Sequence, residues 1–321
     1  MKTQKVISQT PLQNVQNKSR IQEVKKKLKK NIPLYIIIAP AIIYFIIWHY
    51  WPMYGVIIAF KNFSPALGIF DSQWAGFSHF ERFFNSFHFW RLLKNTLGLS
   101  IYSLVVGIPA PIILALLFNE LRSKFFRNVA QTISYAPHFL SVVVSVGILF
   151  FFISPNNGII NAVIEAIGGK RIDFLANPDN FWHIMVWSGT WQGIGWGSLI
   201  YTAAMAGIPQ DQYEAAYIDG ASKLRRIWHI TLPGIRPTIV ILAILAVGGI
   251  MGSDFQKILL LQNGLNLEKS EVIATYVYKS GIIEAQYSFS AAVGLFNNVV
   301  GCILLIIVNW IAKKVNETSL W

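Results

Sequence analysis

The sequence predicts an all-α integral membrane protein with six transmembrane helices, and three observations carry that prediction. Of its 321 residues, 54% are hydrophobic and only 13% are charged, whereas soluble domains carry about 25% charged residues. Six long stretches contain no Asp, Glu, Lys or Arg, and the charges lie between them. A bilayer imposes this segregation, because a charge at its centre costs on the order of 3 kcal/mol or more.

Each of the six stretches approaches or exceeds the roughly 20 residues that a helix needs to cross a hydrocarbon core of about 30 Å. The predicted spans are Ile32–Phe60, Asn95–Phe118, Ile133–Ile153, Phe181–Gly207, Pro237–Ser253 and Ser288–Ala312. They define a six-helix transmembrane domain over residues 32–312, between a basic tail at 1–31 and a short C-terminal tail at 313–321. The first stretch is too long for a cleavable signal and has no cleavage-site pattern, so we expect it to be retained.

Orientation follows from the distribution of Lys and Arg. With the N-terminus inside, the inner segments hold 18 of the 27 basic residues and the outer loops hold 9, and nine of the inner ones lie in the first 31 residues. The positive-inside rule therefore predicts that both termini are cytoplasmic. The basic tail suits contact with anionic lipid headgroups better than nucleic acid, and we expect no nucleic-acid partner.

The polar loop predicted at residues 208–234, between the fourth and fifth spans, has strong helix signals. Pro209 fits a first helical turn, and Asp211 with Glu214 fits a capping box or at least acidic residues near the positive end of a helix dipole. Gly220 suits a left-handed C-terminal cap, and Ser222 fits the cap of a second short helix that stops at Pro233. By themselves these signals predict only a helical hairpin on the membrane surface, of a shape that a partner could bind.

The residues of this loop resemble a known signature. Their spacing is similar to that of the EAA loop, the ATPase-coupling motif of binding-protein-dependent ABC importers, and the matching positions are Glu214, Ala215, Ala216, Gly220, Ile230, Leu232 and Pro233. The chain is identified as a member of that permease family. Three further stretches resemble its carbohydrate branch: Asn95-Thr96, Trp74–Phe77 with Phe80, and Ile218–Ala221.

Within that branch, the runs at Ser134–Leu140 and His229–Pro237 and the terminal Leu320-Trp321 resemble permeases that serve fragments of complex polysaccharides. The likeness is to importers of pectin-derived oligosaccharides such as rhamnogalacturonan fragments. The resemblance implies a bacterial cytoplasmic-membrane subunit that is not an enzyme. Its implied partners are a second, different permease, two cytoplasmic ABC ATPases, an extracellular lipid-anchored solute-binding protein and the oligosaccharide.

The chain has no phosphate-binding loop of its own, since Gly168-Gly169-Lys170 lacks the upstream glycine of that motif. The resemblance therefore implies that ATP and Mg²⁺ bind to the partner ATPase, and we expect no cofactor and no metal in this chain. Two alternatives stay open at this point: an ion-coupled secondary sugar transporter, and an ABC permease for a solute other than a sugar. The first would usually carry carboxylates or histidines within its spans.

Five residues are candidates for the substrate pathway: Trp187, Trp191, Gln192, Asn297 and Asn298. Indole rings stack on the apolar faces of sugars and amides bond their hydroxyls, but tryptophans in a span also pack or anchor. Asn297 and Asn298 should face the bundle, either bonding another helix or lining the route. Asp254 and Gln256 are weaker candidates. Gly189, Gly193 and Gly197 recur every four residues and predict close helix packing.

Overall fold

The structure is a computed structural model, and it describes residues 30–252 and 254–316. Almost all of the predicted basic tail at 1–31 lies outside the described residues. Ser253, the predicted end of the fifth span, and the terminal pair Leu320-Trp321 also lie outside them. The chain divides into two compact units, Met1–Ile57 and Ile58–Trp321.

The first unit contains most of one long apolar helix. Its elements are α1 (Ile32–Phe45), a π-helical turn (Ile46–Tyr50), α2 (Trp51–Met53) and the start of a 3₁₀ turn (Tyr54–Phe60) that continues into the second unit. The wide π turn stands just before Pro52, whose ring would otherwise clash with the carbonyl group four residues back. The helix therefore continues through this proline, and Ile32–Phe60 is long and apolar enough to cross a membrane.

The second unit begins with a small two-stranded sheet and its flanking helices. The elements are β1 (Lys61–Ser64), α3 (Gly68–Asp71), β2 (Ser72–Trp74) and α4 (Ser78–Phe84). The strands are antiparallel, with Lys61 opposite Trp74. The Phe63 backbone N–H donates to the Ser288 hydroxyl at 2.8 Å, which ties the sheet to the last helix of the chain.

The rest of the second unit is helical. Its helices are α5 (Phe89–Gly107), α6 (Pro109–Asn119), α7 (Lys124–Tyr135), α8 (Val142–Ile153), α9 (Ile159–Ala166), α10 (Pro178–Ala206), α11 (Gln210–Ile218), α12 (Lys223–Arg226), α13 (Leu232–Gly248), α14 (Phe255–Leu261), α15 (Leu267–Ser270), α16 (Ile273–Tyr278) and α17 (Tyr287–Asn316). A 3₁₀ turn at Ala136–Phe139 follows α7, and π turns at Ile227–Thr231 and Lys279–Ile283 precede α13 and α17. α10 is central, because it packs against α5, α6, α7, α13 and α15.

Apart from the small sheet, the described chain is helical, in agreement with the predicted membrane class, while the count of six spans is not established by length and apolarity. Four stretches of the described residues pass that test: Ile32–Phe60, Phe89–Asn119, Lys223–Gly248 and Tyr287–Lys314. The pair Lys124–Phe139 and Val142–Ile153 would make a fifth, but its two parts are bent by 106°. α10 has the length of a span, yet its Gly, Ser, Thr and Gln residues keep it below the same apolarity.

The third predicted span, Ile133–Ile153, is therefore wrong as one straight helix. Pro137 lies in the 3₁₀ turn, and Leu140 after it is extended. Ser141 then starts a new helix by accepting a hydrogen bond from the Val144 N–H at 3.3 Å. Hydropathy does not detect this break, because the residues on both sides of it are apolar.

The fifth predicted span, Pro237–Ser253, also has the wrong bounds. The helix that contains it begins at Lys223 and ends at Gly248, so the predicted stop at Pro233 is wrong. The π turn at Ile227–Thr231 stands just before Pro233 and makes room for its ring, as the turn before Pro52 does in the first unit.

Three clusters of buried apolar side chains hold the second unit together. The first surrounds the N-terminal half of α10, where Phe181 and Met185 pack with Ile258 of α14. The third surrounds its C-terminal end, where Tyr201 packs with Ile235 of α13. The second cluster joins α4, α5, α16 and α17. Two of the three clusters therefore meet on α10, which positions the candidate sites described below.

Candidate functional site

The first candidate site is the loop predicted at residues 208–234, which follows α10. Its first helix, α11, ends at Gly220, whose φ of +72° lies in the left-handed region. The Gly220 N–H donates to the Tyr217 carbonyl at 3.1 Å, and the Ala221 N–H donates to the Ala216 carbonyl at 2.9 Å. These paired bonds are those of a Schellman motif, so the predicted left-handed cap is confirmed.

The starts of the two helices in the loop differ from each other. Ser222 caps the second helix as predicted, since its hydroxyl accepts from the Arg225 N–H at 3.4 Å. Pro209 occupies the cap position of α11 without a side-chain hydrogen bond. The capping box predicted for Asp211 and Glu214 is therefore wrong, although Asp211 lies in the first turn, where a negative charge is favourable.

The EAA motif is named after three consecutive residues, here Glu214, Ala215 and Ala216, and their environments differ. Glu214 and Ala215 are exposed on α11. Ala216 is half-buried and lines a groove of about 330 Å³ with His229 and Ile230 of the following helix. Ala216 thus faces the loop's own second helix, and the exposed pair is the part that a partner can contact.

The apolar residues of the motif hold the loop against the bundle. Ile230 and Leu232 pack against the buried cluster around Tyr201 and Ile235. The Tyr213 hydroxyl lies 2.9 Å from the Thr231 hydroxyl oxygen, which joins α11 to the second helix. The back of the loop is thus anchored by packing and one buried polar contact.

Four further apolar side chains of the loop are exposed, and none of them is among the seven residues predicted to couple to the ATPase. They are Tyr217, Ile218, Leu224 and Trp228, between 67% and 84% exposed. Large apolar residues in an otherwise polar loop are the sequence feature that could have identified them. With Glu214 and Ala215 they form an exposed surface of mixed character on this side of the loop.

The second candidate site is a cleft of about 560 Å³ beside the middle of α10, called here the central cleft. Two interrupted helices meet at it. The break between α7 and α8 contributes His138 and Leu140. The break between α13 and α14 contributes Asp254, and the first turn of α14 after it contributes Lys257. At membrane depth, a break in a helix is tolerated only inside protein or beside water, because its free backbone groups need hydrogen-bond partners.

Three predicted pathway residues lie on α10 but not in one cleft. Gln192 lines the central cleft, and its Nε2 donates to the Leu140 carbonyl at 3.1 Å. Trp187 and Trp191 line a neighbouring cleft of about 530 Å³, called here the aromatic cleft, and remain 59% and 46% exposed. Successive helical residues are about 100° apart, so Gln192 cannot share the face of Trp191.

The two predicted asparagines of α17 have different roles. Asn297 is buried, and its Nδ2 donates to the Met251 carbonyl in the break after α13 at 2.9 Å. Asn297 was predicted either to bond another helix or to line the route. In the structure it bonds another segment of the bundle. Asn298 is exposed and lines neither the central nor the aromatic cleft.

The predicted glycine stripe is only partly a packing surface. Gly197 lies close to Pro111 of α6, since an added Cβ would approach its ring carbons at 3.1 Å and 3.2 Å. Gly193 is open, with nothing within 4 Å of an added Cβ, and both it and Gly189 line the central cleft. The closest backbone approach is instead at Gly195, where an added Cβ would overlap the Ser134 carbonyl group.

Asp254 and Lys257 are charged residues that line the clefts, and Lys257 was not among the candidates predicted from the sequence. Asp254 lines the central cleft, whereas Gln256, predicted with it, is exposed and lines neither cleft. Lys257 lines both clefts and is 4% exposed. Within the described parts of the chain, no three His, Cys, Asp or Glu side chains are placed to hold a metal ion.

The sequence matches the family described as "Binding-protein-dependent transport system inner membrane component" over residues 107–317, more than half of the chain. This chain belongs to that family. The predicted family is thereby confirmed, and the matched region includes the loop and every lining residue of the aromatic cleft.

Two curated relatives of this permease match it over 92% of both chains. It is 45% identical over 294 residues to Protein LplB of Bacillus subtilis (strain 168). It is 42% identical over 295 residues to the polygalacturonan/rhamnogalacturonan transport system permease protein YteP of the same organism. Both relatives therefore match nearly the whole length of this permease.

Solved structures also resemble this permease. It has a TM-score of 0.85 and 39% identity to a chain of a bacterial ABC transporter involved in the import of the acidic polysaccharide alginate. The match covers 92% of this chain and 99% of that one. A second structure of a bacterial alginate ABC transporter, in complex with an alginate pentasaccharide-bound periplasmic protein, matches with the same values.

Proposed function

We propose that this chain is the permease subunit of an ABC importer for oligosaccharides released from complex polysaccharides. Three similarities support the substrate class: YteP is named for polygalacturonan and rhamnogalacturonan, and both matching structures are of alginate transporters. Family membership also favours an ABC importer over the ion-coupled alternative.

One observation supports the location of the path: two broken helices meet at the central cleft, on the glycine-rich face of α10. Transporters use interrupted helices at membrane depth to bind their substrates. Gln192 lines this cleft, and Trp187 and Trp191 line the aromatic cleft next to it. We assign these three residues to the substrate path. Asn297 supports it by holding the second break, and Asn298 takes no part.

The exposed side of the loop suits docking to a cytoplasmic ATPase. Glu214 and Ala215 point away from the anchored back of the loop, and Gly220 sets the angle between its helices. In this proposal the separate ATPase binds ATP and Mg²⁺ and carries out the hydrolysis. Movement of the ATPase reaches the bundle through Ile230, Leu232 and Pro233, which continue into α13.

The complete importer in this proposal has three further kinds of subunit. A second, different permease closes the clefts on their open side, and two ATPases bind the coupling loops. A lipid-anchored solute-binding protein delivers the sugar, which is consistent with the periplasmic protein bound in one matching structure. The chain has six spans in this proposal, with the bent pair as the third, α10 as the fourth and Lys223–Gly248 containing the fifth, and both termini are cytoplasmic.

Reporter tags and uptake measurements test this proposal together. Tags at the N-terminus, at Gly220 and at the C-terminus should report the cytoplasm, and tags at Gly168 and Gly264 should report the outside. Both outer sites are glycines with nothing within 4 Å of an added Cβ. An outside location for Gly220 would contradict the proposed coupling role. Proteoliposomes of the assembled complex that import no oligosaccharide would contradict the transport role.

A further inference from the structure

Lys257 is a buried cation at the start of a short apolar run. It lies on α14, in the run Lys257-Ile258-Leu259-Leu260-Leu261, directly after the second helix break. Its side chain is 4% exposed, while its neighbour Ile258 belongs to the buried cluster around α10. A lysine is rarely buried to this extent without a partner, because desolvating an ammonium group is unfavourable.

The ammonium group lies beside the middle of α10. A Cβ atom added to Gly189 would lie 3.8 Å from Lys257 Nζ and 3.8 Å from Asp254 Oδ2, so both charges reach the backbone of α10 where it has no side chain. Gly189 is the twelfth residue of the 29-residue α10. In the proposed topology, where α10 is the fourth span, the cation therefore lies beside a membrane-spanning helix and not in an outer loop.

Within residues 30–252 and 254–316, no hydrogen bond or ion pair engages Lys257 Nζ. Asp254 is the nearby carboxylate and interacts with Lys257 only through its charge. The side chain lines the central cleft on one side and the aromatic cleft on the other. A buried cation without a contact partner, facing two open clefts, is suited to an anion that enters them.

The surroundings define what kind of anion fits. Both clefts, at about 530 Å³ and 560 Å³, are within the usual range of ligand pockets. Trp187 and Trp191 offer indole faces next to Lys257, and Ser188 and Gln192 offer polar groups. A sugar ring with an apolar face, several hydroxyls and one carboxylate matches all three kinds of group, because the indole, the polar side chains and the ammonium each have a counterpart.

We propose that Lys257 is a specificity residue of the transport path and that it recognises the carboxylate of uronic acid units in the passing oligosaccharide. This inference rests on the proposed function. Asp254 limits the strength of that interaction, since its carboxylate competes with the sugar's for the same ammonium group. A transport site must bind its substrate weakly enough to release it.

The test uses the complete importer in proteoliposomes, with its partner permease, ATPases and solute-binding protein. Trimers of galacturonate and of alginate are the acidic probes, and neutral arabino-oligosaccharides are the comparison. Lys257→Gln should lower the uptake of the acidic trimers by at least about tenfold at limiting concentration, and Lys257→Arg should retain most of it. ATP hydrolysis stimulated by the binding protein without sugar should be unchanged.

Lys170→Gln is the matched control, because it removes the same charge from an exposed residue away from both clefts. Unchanged uptake of acidic trimers in Lys257→Gln would overturn the inference. So would an equal loss of neutral uptake or of sugar-free ATP hydrolysis, since either would indicate a structural role. A wild-type importer that moves only neutral sugars would overturn it too, while the proposed function would stand. An importer that moves no oligosaccharide would instead overturn the proposed function.

Discussion

The loop at residues 208–234 and the central cleft differ in how far apart in the sequence their residues lie. The loop is built from neighbours, with Gly220, Ser222 and their hydrogen-bond partners all within residues 216–226. The cleft is built from segments around His138, Gln192 and Lys257, which only the bundle brings together. The comparison teaches that a surface element can be predicted from local rules, whereas a transport cleft depends on how broken helices pack.

The largest effect is expected where the cleft depends on backbone contact. Gly195→Ala should prevent accumulation of folded permease, because its Cβ would overlap the Ser134 carbonyl group and force α7 away from α10. Gly193→Ala, two residues earlier, adds the same methyl group with nothing within 4 Å. Membrane yield and thermal unfolding of the two variants measure the difference. Equal behaviour would mean that α7 and α10 do not pack as described.

A large effect is also expected on the exposed side of the loop. Ala215→Trp should abolish retention of the ATPase subunit and most uptake, since the proposed partner surface accepts a small side chain there. Folding should remain normal because Ala215 is exposed. Copurification of the ATPase and uptake are the measurements.

Ala216→Trp is the companion variant: it fills the groove against His229 and Ile230, so it should also lower the permease's own thermal stability. Full ATPase retention by Ala215→Trp would contradict docking at this surface.

A moderate effect is expected at the corner of the loop. Val at position 220 must adopt a φ near +72°, which costs on the order of 1 to 3 kcal/mol for a β-branched residue. Since nothing lies within 4 Å of an added Cβ there, the cost is conformational only. Gly220→Val should reduce uptake about tenfold, while Gly220→Asn should retain more, because asparagine tolerates this conformation. Sugar uptake measures both, and equal uptake by the two would exclude a role for the left-handed turn.

The smallest effect is expected at the aromatic cleft. Trp191→Ala should reduce sugar-stimulated ATP hydrolysis roughly fivefold, since one stacking contact contributes about 1 kcal/mol. The rate without sugar should remain. Trp310→Ala is the control, because Trp310 is an exposed tryptophan of α17 that lines neither cleft. If the two variants gave the same stimulated rate, Trp191 would be a packing residue rather than a sugar contact.

The sequence predicted the features that depend on near neighbours. The left-handed Gly220 and the Ser222 cap follow from local backbone and hydrogen-bond rules, and both are present. The prediction that the helix ends at Pro233 was wrong because a π turn accommodates the proline ring. None of the residue patterns behind that prediction indicates a π turn. The break at Leu140 was missed because apolar residues lie on both sides of it.

The cleft was predicted only in part. Gln192, Trp187 and Trp191 were all predicted to line the substrate pathway. Because they lie on different faces of α10, Gln192 lines the central cleft and the two tryptophans line the aromatic cleft. Lys257 was missed because charged residues were assigned to the loops between spans. The second helix break returns this loop residue to the level of Gly189, in the middle of α10. That position depends on tertiary packing and has no local signature.

One unbroken helix, from Lys223 to Gly248, connects the loop at residues 208–234 to the second helix break. Its 26 residues extend about 39 Å. One end lies in the loop directly after Ser222, and the other ends in the pair Gly248-Gly249, where the absence of side chains leaves the backbone more conformational freedom. If the proposed ATPase docks on the loop, a tilt of this helix would displace the segment that carries Lys257. ATP hydrolysis would then change the position of the ammonium group that we propose to recognise the sugar.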